Sequence, residues 1–222
     1  MQLLVNAWNI FRKDLQQEFK TRYVLNAILL FSVVTLTAVS FSIGTIVTGN
    51  EIHSALLWII LFFSAMSGLS HIFVREEETH TSDTLKLVAD PTSIFLGKYL
   101  FNFVLLLLME IITIPLYFAV MNFSVENAAI FISILFIGSI GLSAGATIIA
   151  AIISKASAKG ALFTVLSFPI LLPVLITGIS ATKTICFKST WSAVSGELQA
   201  LIAYAVVLIT ASILLFEFVW NE

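Results

Sequence analysis

The sequence of 222 residues predicts an all-α integral membrane protein with six transmembrane helices. Three observations carry this. Hydrophobic residues make up 59% and charged residues 11% of the chain, where a soluble domain carries about 25% charged residues. Six windows hold almost no Asp, Glu, Lys or Arg, and each supplies the ~20 apolar residues that cross a bilayer as helix. None shows the alternation of about ten residues that a β-barrel strand needs. The spans are expected at about 24–48, 52–74, 99–122, 128–153, 160–182 and 198–219, in a single transmembrane domain over 1–222. The one cysteine, Cys186, excludes an internal disulfide, and no CxxC or paired Cys/His spacing exists.

Ahead of the first span, residues 1–23 are too charged for a span or a cleavable signal. In NAWNIFRKDLQQEFKTRY, Trp8, Phe11, Leu15 and Phe19 recur at helical spacing, and Arg12, Lys13, Asp14, Gln16, Gln17 and Lys20 fill the other face. The pattern predicts a helix lying in the interface near anionic head groups, or one packed on protein. Trp8 and Trp220 are expected at a membrane boundary, as aromatic belt residues.

Arg12, Lys13, Lys20 and Arg22 precede the first span, Arg75, Lys86 and Lys98 lie between the second and third, and Lys155 and Lys159 between the fourth and fifth. Only Lys183 and Lys188, in the expected loop 183–197, fall on the other side. The positive-inside rule then places both termini and the 75–98 segment in the cytoplasm.

That segment, VREEETHTSDTLKLVADPTSIFLGKYL with its flanks, is the charged island of the chain. Thr81 or Ser82 is positioned to cap a helix from Asp83, whose charge suits a helix N-terminus. Pro91 disfavours helix at Asp90 and stops it. Leu85, Leu87 and Val88 form a small apolar patch, which suits docking by a partner. Thr92 or Ser93 then caps a helix running into span three, with Lys98 snorkelling to the head groups. The acidic triplet Glu76, Glu77 and Glu78 reads equally well as a solvated loop. Gly97-Lys98 is no phosphate-binding loop, because Thr92 stands where the first glycine should be and Tyr99 follows the lysine. ATP chemistry would have to come from another chain.

In span three, Glu110 falls near the bilayer midplane, where a carboxylate costs on the order of 3 kcal/mol. It is expected to face the bundle in neutral, hydrogen-bonded form, either on a substrate or proton pathway or as an interhelical hydrogen bond. Pro115, one turn on, predicts a kink. In span four, GSIGLSAGATIIAA sets Gly141 and Gly145 four apart, with Ser139 and Ser143 repeating the spacing, so another helix can approach closely, within the chain or from a second copy. In span five, Pro169 and Pro173 share a face and predict a bent or locally opened helix. His53, His71 and His80 are not spaced as ligand pairs and are read as interfacial rather than metal-binding.

FRKDLQQEFKTRYVLNAILLF, the island with EEE, TSDTLKLVADP and LGK, and above all GSIGLSAGATIIAAIISKASAKGALFTVLSFPILLPVLI resemble the CcmB family, the membrane subunit of the cytochrome c maturation ATP-binding-cassette (ABC) system. The resemblance covers nearly the whole chain. It implies an exporter-type permease of the bacterial inner membrane, not itself an enzyme, working with a separate ATPase subunit of the CcmA type that holds ATP and Mg. It implies further partners of the CcmC, CcmD and CcmE types, two permease copies per complex, no nucleic acid, and haem as the molecule handled by the complex. A coupling interface for the ATPase is then expected at Glu76, Glu78, Asp83, Leu85, Leu87 and Pro91, with Lys155 and Lys159 as a smaller contact. A permease for another substrate, such as a lipid or polysaccharide, and a non-transporting assembly subunit are the alternatives.

Overall fold

The computed structural model describes residues 2–43, 49–154 and 159–221, with side chains except those of 159–161 and 221. Among the described residues there are nine helices and no strand: α1 (Gln2–Thr21), α2 (Tyr23–Ile43), α3 (Asn50–Leu69), α4 (His71–Glu78), α5 (Ser82–Val88), α6 (Pro91–Met121), α7 (Ala128–Ile153), α8 (Lys159–Phe187) and α9 (Trp191–Asn221). Six stretches are long and apolar enough to cross a membrane: α2, α3 with α4, α6, α7, α8 and α9. This is the all-α membrane protein of six spans that composition predicts.

The α3–α4 pair and α7 are the most buried spans, and α2 and α9 the most peripheral. Small residues put α7 at the centre, packed against α3, α4, α6, α8 and α9. A Cβ on Gly141 would meet Val174 Cγ2 at 3.2 Å, and one on Gly145 would meet Leu171 Cδ2 at 2.4 Å, so the glycine pair receives α8 of the same chain. The serines turn elsewhere. Ser139 donates to Glu110 on α6, and Thr147 accepts from Asn102 at 3.0 Å, so the polar stripe of α7 faces α6.

Several boundaries differ from the sequence expectation. Span two runs on past a break at Ser70 into α4, so the acidic triplet ends a helix rather than forming a loop. Helix α6 starts at Pro91 itself, with Asp90 in extended conformation before it; proline at the first helical position has φ already set and no N–H to lose. Ser93 is therefore inside the helix, donating to the Leu3 carbonyl at 3.2 Å. Helix α8 is continuous through Pro169 and Pro173 instead of opening there. The Tyr204 hydroxyl donates to the Ile170 carbonyl at 2.7 Å, tying α9 to the proline-bearing segment of α8. Most of the expected loop 183–197 is helical, leaving α8 and α9 joined by a short turn.

Helix α1 divides its circumference three ways. Ala7, Ile10, Phe11, Asp14 and Glu18 are buried against the protein, whereas Leu4, Val5, Trp8 and Phe19 are exposed on an adjacent apolar stripe. Lys13, Gln16, Gln17 and Lys20 occupy the remaining polar sector. An interfacial helix with a protein side, a lipid side and a water side fits this division. The buried side requires Gly97, where a Cβ would lie 2.7 Å from the Ala7 carbonyl oxygen.

Candidate functional site

At the end of the bundle that carries α1 and α5, the island folds as a corner. Helix α5 starts at Ser82 with Asp83 in its first turn, and the expected cap is not formed: Thr81 precedes the helix, but its hydroxyl is turned to Glu76 instead of the first turn. Leu85 is partly buried against the core, while Leu87 and Val88 are 88% and 72% exposed. Lys86 lies over the Trp220 ring at 5.6 Å. Trp220 is thus packed inside against Phe73 and Phe216 rather than standing in a lipid-facing belt. Between α5 and the start of α1 lies a recess of about 340 Å³, walled by Gln2, Asn6, Lys86, Leu87, Asp90 and Pro91 among others. The corner therefore offers two exposed apolar side chains beside a polar hollow.

Behind it sits a buried ionic joint. Lys98 is 1% exposed, so it does not snorkel. Its Nζ lies 2.9 Å from Asp14 Oδ2 and donates to Glu76 Oε1 at 2.6 Å. Lys13, 45% exposed, donates to the same Glu76 oxygen at 2.6 Å and lies 3.4 Å from Asp14 Oδ1. Burial by itself would lower the Lys13 amine, but the charges of Asp14 and Glu76 outweigh it and hold the amine above its ordinary value. Thr81, at the mouth of α5, closes the chain by donating to Glu76 Oε2. One carboxylate thus ties α5 through Thr81, α6 through Lys98 and α1 through Lys13, and Asp14 of α1 joins it through the same two lysines.

The joint corrects two further expectations. Glu76 is not an outward contact but is buried inside the fold, because Lys98 and Lys13 satisfy it there. Asp14 leaves the polar face of α1 for the same reason. Of the other expected contact residues, Glu78 and Asp83 are exposed, and Leu85 and Pro91 are half-buried. Lys155 lies outside the described residues. Lys159 opens α8, and its side chain is outside them too.

In the membrane interior Glu110 is buried and accepts from Ser139 Oγ at 2.5 Å. It forms the polar floor of an otherwise apolar groove of about 550 Å³ between α6 and α7, lined by Ile114, Pro115, Phe118, Phe131 and Leu135 among others. Pro115 lies within α6 without ending it. Toward the far end, Tyr117 donates to the His53 carbonyl at 2.9 Å, and the His53 ring stacks on Phe123 at 5.3 Å. Among the described residues no group of three His, Cys, Asp or Glu side chains is placed to hold a metal ion.

One structural residue escapes sequence reading. Trp58 is buried with its ring over Gly138 of α7 and Gly178 of α8, where added Cβ atoms would come within 2.4 and 2.5 Å of it, and its Nε1 donates to Thr182 at 2.8 Å. The signal was present as two glycines on different spans, but nothing in either span names the tryptophan they accommodate.

Compared with known sequences, the chain matches the family described as CcmB protein over residues 5–217. No curated protein matches it.

Proposed function

The chain belongs to the CcmB family, and from that premise we propose that it couples ATP hydrolysis by a separate ATPase subunit to haem export or to release of a haem-loaded chaperone. Membership makes it a multi-pass membrane component of the haem-export ABC system of cytochrome c maturation, a permease subunit and not a catalytic enzyme, associated with an ATPase of the CcmA type. In the proposed arrangement both termini and α5 face the bacterial cytoplasm, two copies serve one ATPase pair, and subunits of the CcmC, CcmD and CcmE types complete the system. ATP and Mg belong to the ATPase, and haem is cargo.

The observation that carries the coupling proposal is the corner at α5. Leu87 and Val88 are nearly free of the bundle, yet Thr81 at the base of the same helix is bonded to Glu76 and through it to Lys98. A partner that grips the tip would pull on a carboxylate held by two other helices. In this reading Leu87, Val88, Asp83 and Glu78 meet the ATPase, Lys155 and Lys159 add a second contact, and Glu76 passes the movement inward to α1 and α6. Leu87→Asp tests it. The side chain supports little of the fold, so the variant should insert and fold normally while losing copurification with the ATPase and lowering c-type cytochrome levels. Unchanged association with unchanged cytochrome levels would remove α5 as the docking element.

A second reading, passage of an amphiphilic substrate along the α6–α7 face, is favoured by the groove over Glu110. Glu110→Leu separates the two. Ser139 retains its bond to the Leu135 carbonyl at 2.8 Å, so stability should change little, and a loss of cytochrome maturation at normal ATPase association would favour the groove.

A further inference from the structure

Next to the ionic joint, where α1, α4 and α6 meet, there is a cavity of about 20 Å³. Its lining includes Asp14, Glu18, Arg75, Glu76, Lys98 and Asn102. Four of these residues carry a buried polar atom with no hydrogen-bond partner: Asp14 Oδ2, Glu18 Oε2, Arg75 Nη2 and Asn102 Oδ1. Asp14 Oδ2 is ion-paired with Lys98 Nζ at 2.9 Å, which leaves three, one from each helix, with no partner of either kind. The partners of their other atoms hold two of them in place. Glu18 Oε1 accepts from the Leu25 backbone N–H at 2.9 Å, and Asn102 Nδ2 donates to Thr147 Oγ1 at 3.0 Å. Glu18 and Asn102 are themselves 3% and 0% exposed. Buried polar groups are rarely left unpaired, and a convergence of three around one space points to a ligand.

Size and charge decide what that ligand is. A site needs roughly 10–15 Å³ to hold one water, so the cavity admits one water and no organic group. Its three carboxylates, Asp14, Glu18 and Glu76, face Arg75 and Lys98, with Lys13 reaching in from the rim. Three negative charges against three positive ones leave no excess charge to attract a cation. The unpaired set is two acceptors and one donor, which a single water complements by donating twice and accepting once.

We propose that this cavity is a binding site for one ordered water, which accepts from Arg75 Nη2 and donates to Glu18 Oε2 and Asn102 Oδ1, and so completes the polar junction of α1, α4 and α6. The site is independent of the identity of any partner. Its mechanical consequence is local: a water re-pairs more readily than a direct side-chain bond, so α4 can shift against α6 here without stranding a charge.

The test uses the full-length protein in lipid nanodiscs, with side-chain nitrogen labels on Arg and Asn. Water-edited magnetic resonance should transfer magnetisation from water to Asn102 despite its complete burial, and to the buried Nη2 of the half-buried Arg75. Asn102→Leu, which removes an acceptor and fills space, should reduce the transfer at Arg75 Nη2, its half-exposed remainder sustaining the rest, and leave it unchanged at the exposed Arg12. A density map of the unmodified protein at water-resolving quality is the second arm, free of any folding effect of the variant. One peak within hydrogen-bonding reach of all three atoms is the expected result. Arg75 bridged directly to Glu18 with no water transfer would overturn the proposal, as would a peak or a spectral shift that depends on sodium.

Discussion

Removing the ammonium of Lys98 is the perturbation that probes the joint most sharply. In Lys98→Met the side-chain length is kept and the charge lost, so Asp14 and Glu76 remain buried without their inner cation. Breaking a buried ion pair from one side costs about 3–5 kcal/mol, because the surviving charge is left uncompensated. Lys13 still reaches Glu76 at 2.6 Å and Asp14 at 3.4 Å, which places the expected loss at the lower end, about 3 kcal/mol. For a chain of this size that is a fall in melting temperature of roughly 6–12 °C. Lys13→Met is the internal comparison. Its amine is half-exposed, so its contribution is that of a surface pair, about 1 kcal/mol or less. Thermal unfolding of the purified protein in one detergent, followed by near-ultraviolet dichroism, measures both. Adding Glu76→Gln to Lys98→Met should recover part of the loss, since it removes one of the stranded charges. Equal losses for the two lysine variants, or a Lys98→Met loss below about 1 kcal/mol, would refute the idea that Lys98 is the buried centre of the cluster.

Three further predictions rest on close packing. Gly97→Ala should loosen α1, because the new Cβ meets the Ala7 carbonyl oxygen at 2.7 Å and backbone cannot step aside; about 1–3 kcal/mol of overpacking strain should appear as faster proteolysis within residues 2–22. Gly145→Ala should be milder despite a shorter 2.4 Å approach, since the atom met is the end of the Leu171 side chain; a reversed order in unfolding temperature would count against this account of helix approach. Trp58→Phe loses the bond to Thr182 and leaves space between Gly138 and Gly178, with an expected cost of about 2 kcal/mol. Adding Thr182→Val to it should cost little more if the hydrogen bond is what the two residues share.

The features legible in the sequence were local or periodic. Apolar windows announced six spans, the proline at 91 marked the corner after α5, and the Gly141–Gly145 spacing announced a close helix contact, which falls on α8 of the same chain. Glu110 was recognisable as an inward carboxyl because nothing else charged stands in its span, although Ser139 as its partner was not. The ionic joint was illegible for a definite reason. Its members come from positions 13, 14, 76 and 98 and are brought together only by tertiary packing. Read singly, Lys98 at the start of a span resembles a snorkelling lysine, Asp14 resembles a residue of a polar face, and Glu76 resembles part of a solvated acidic run. Each local rule was sound, and each yielded to the pairing of opposite charges in a buried place. Pro169 and Pro173 of α8 do not open the helix, which runs through them without interruption.

The central claim is that the exposed tip of α5 is where the ATPase engages and that Glu76 and Lys98 lie behind it. Site-specific photocrosslinking from position 87, in membranes containing the assembled complex, tests this most directly. The account predicts a crosslink to the ATPase subunit from position 87 and none from position 126, in the loop at the opposite end of the bundle. It also predicts that Lys98→Met, at a temperature where it remains folded, keeps the position-87 crosslink but loses its change in yield on nucleotide addition. A crosslink to the ATPase from position 126, or its absence at position 87 while the complex still copurifies, would contradict it.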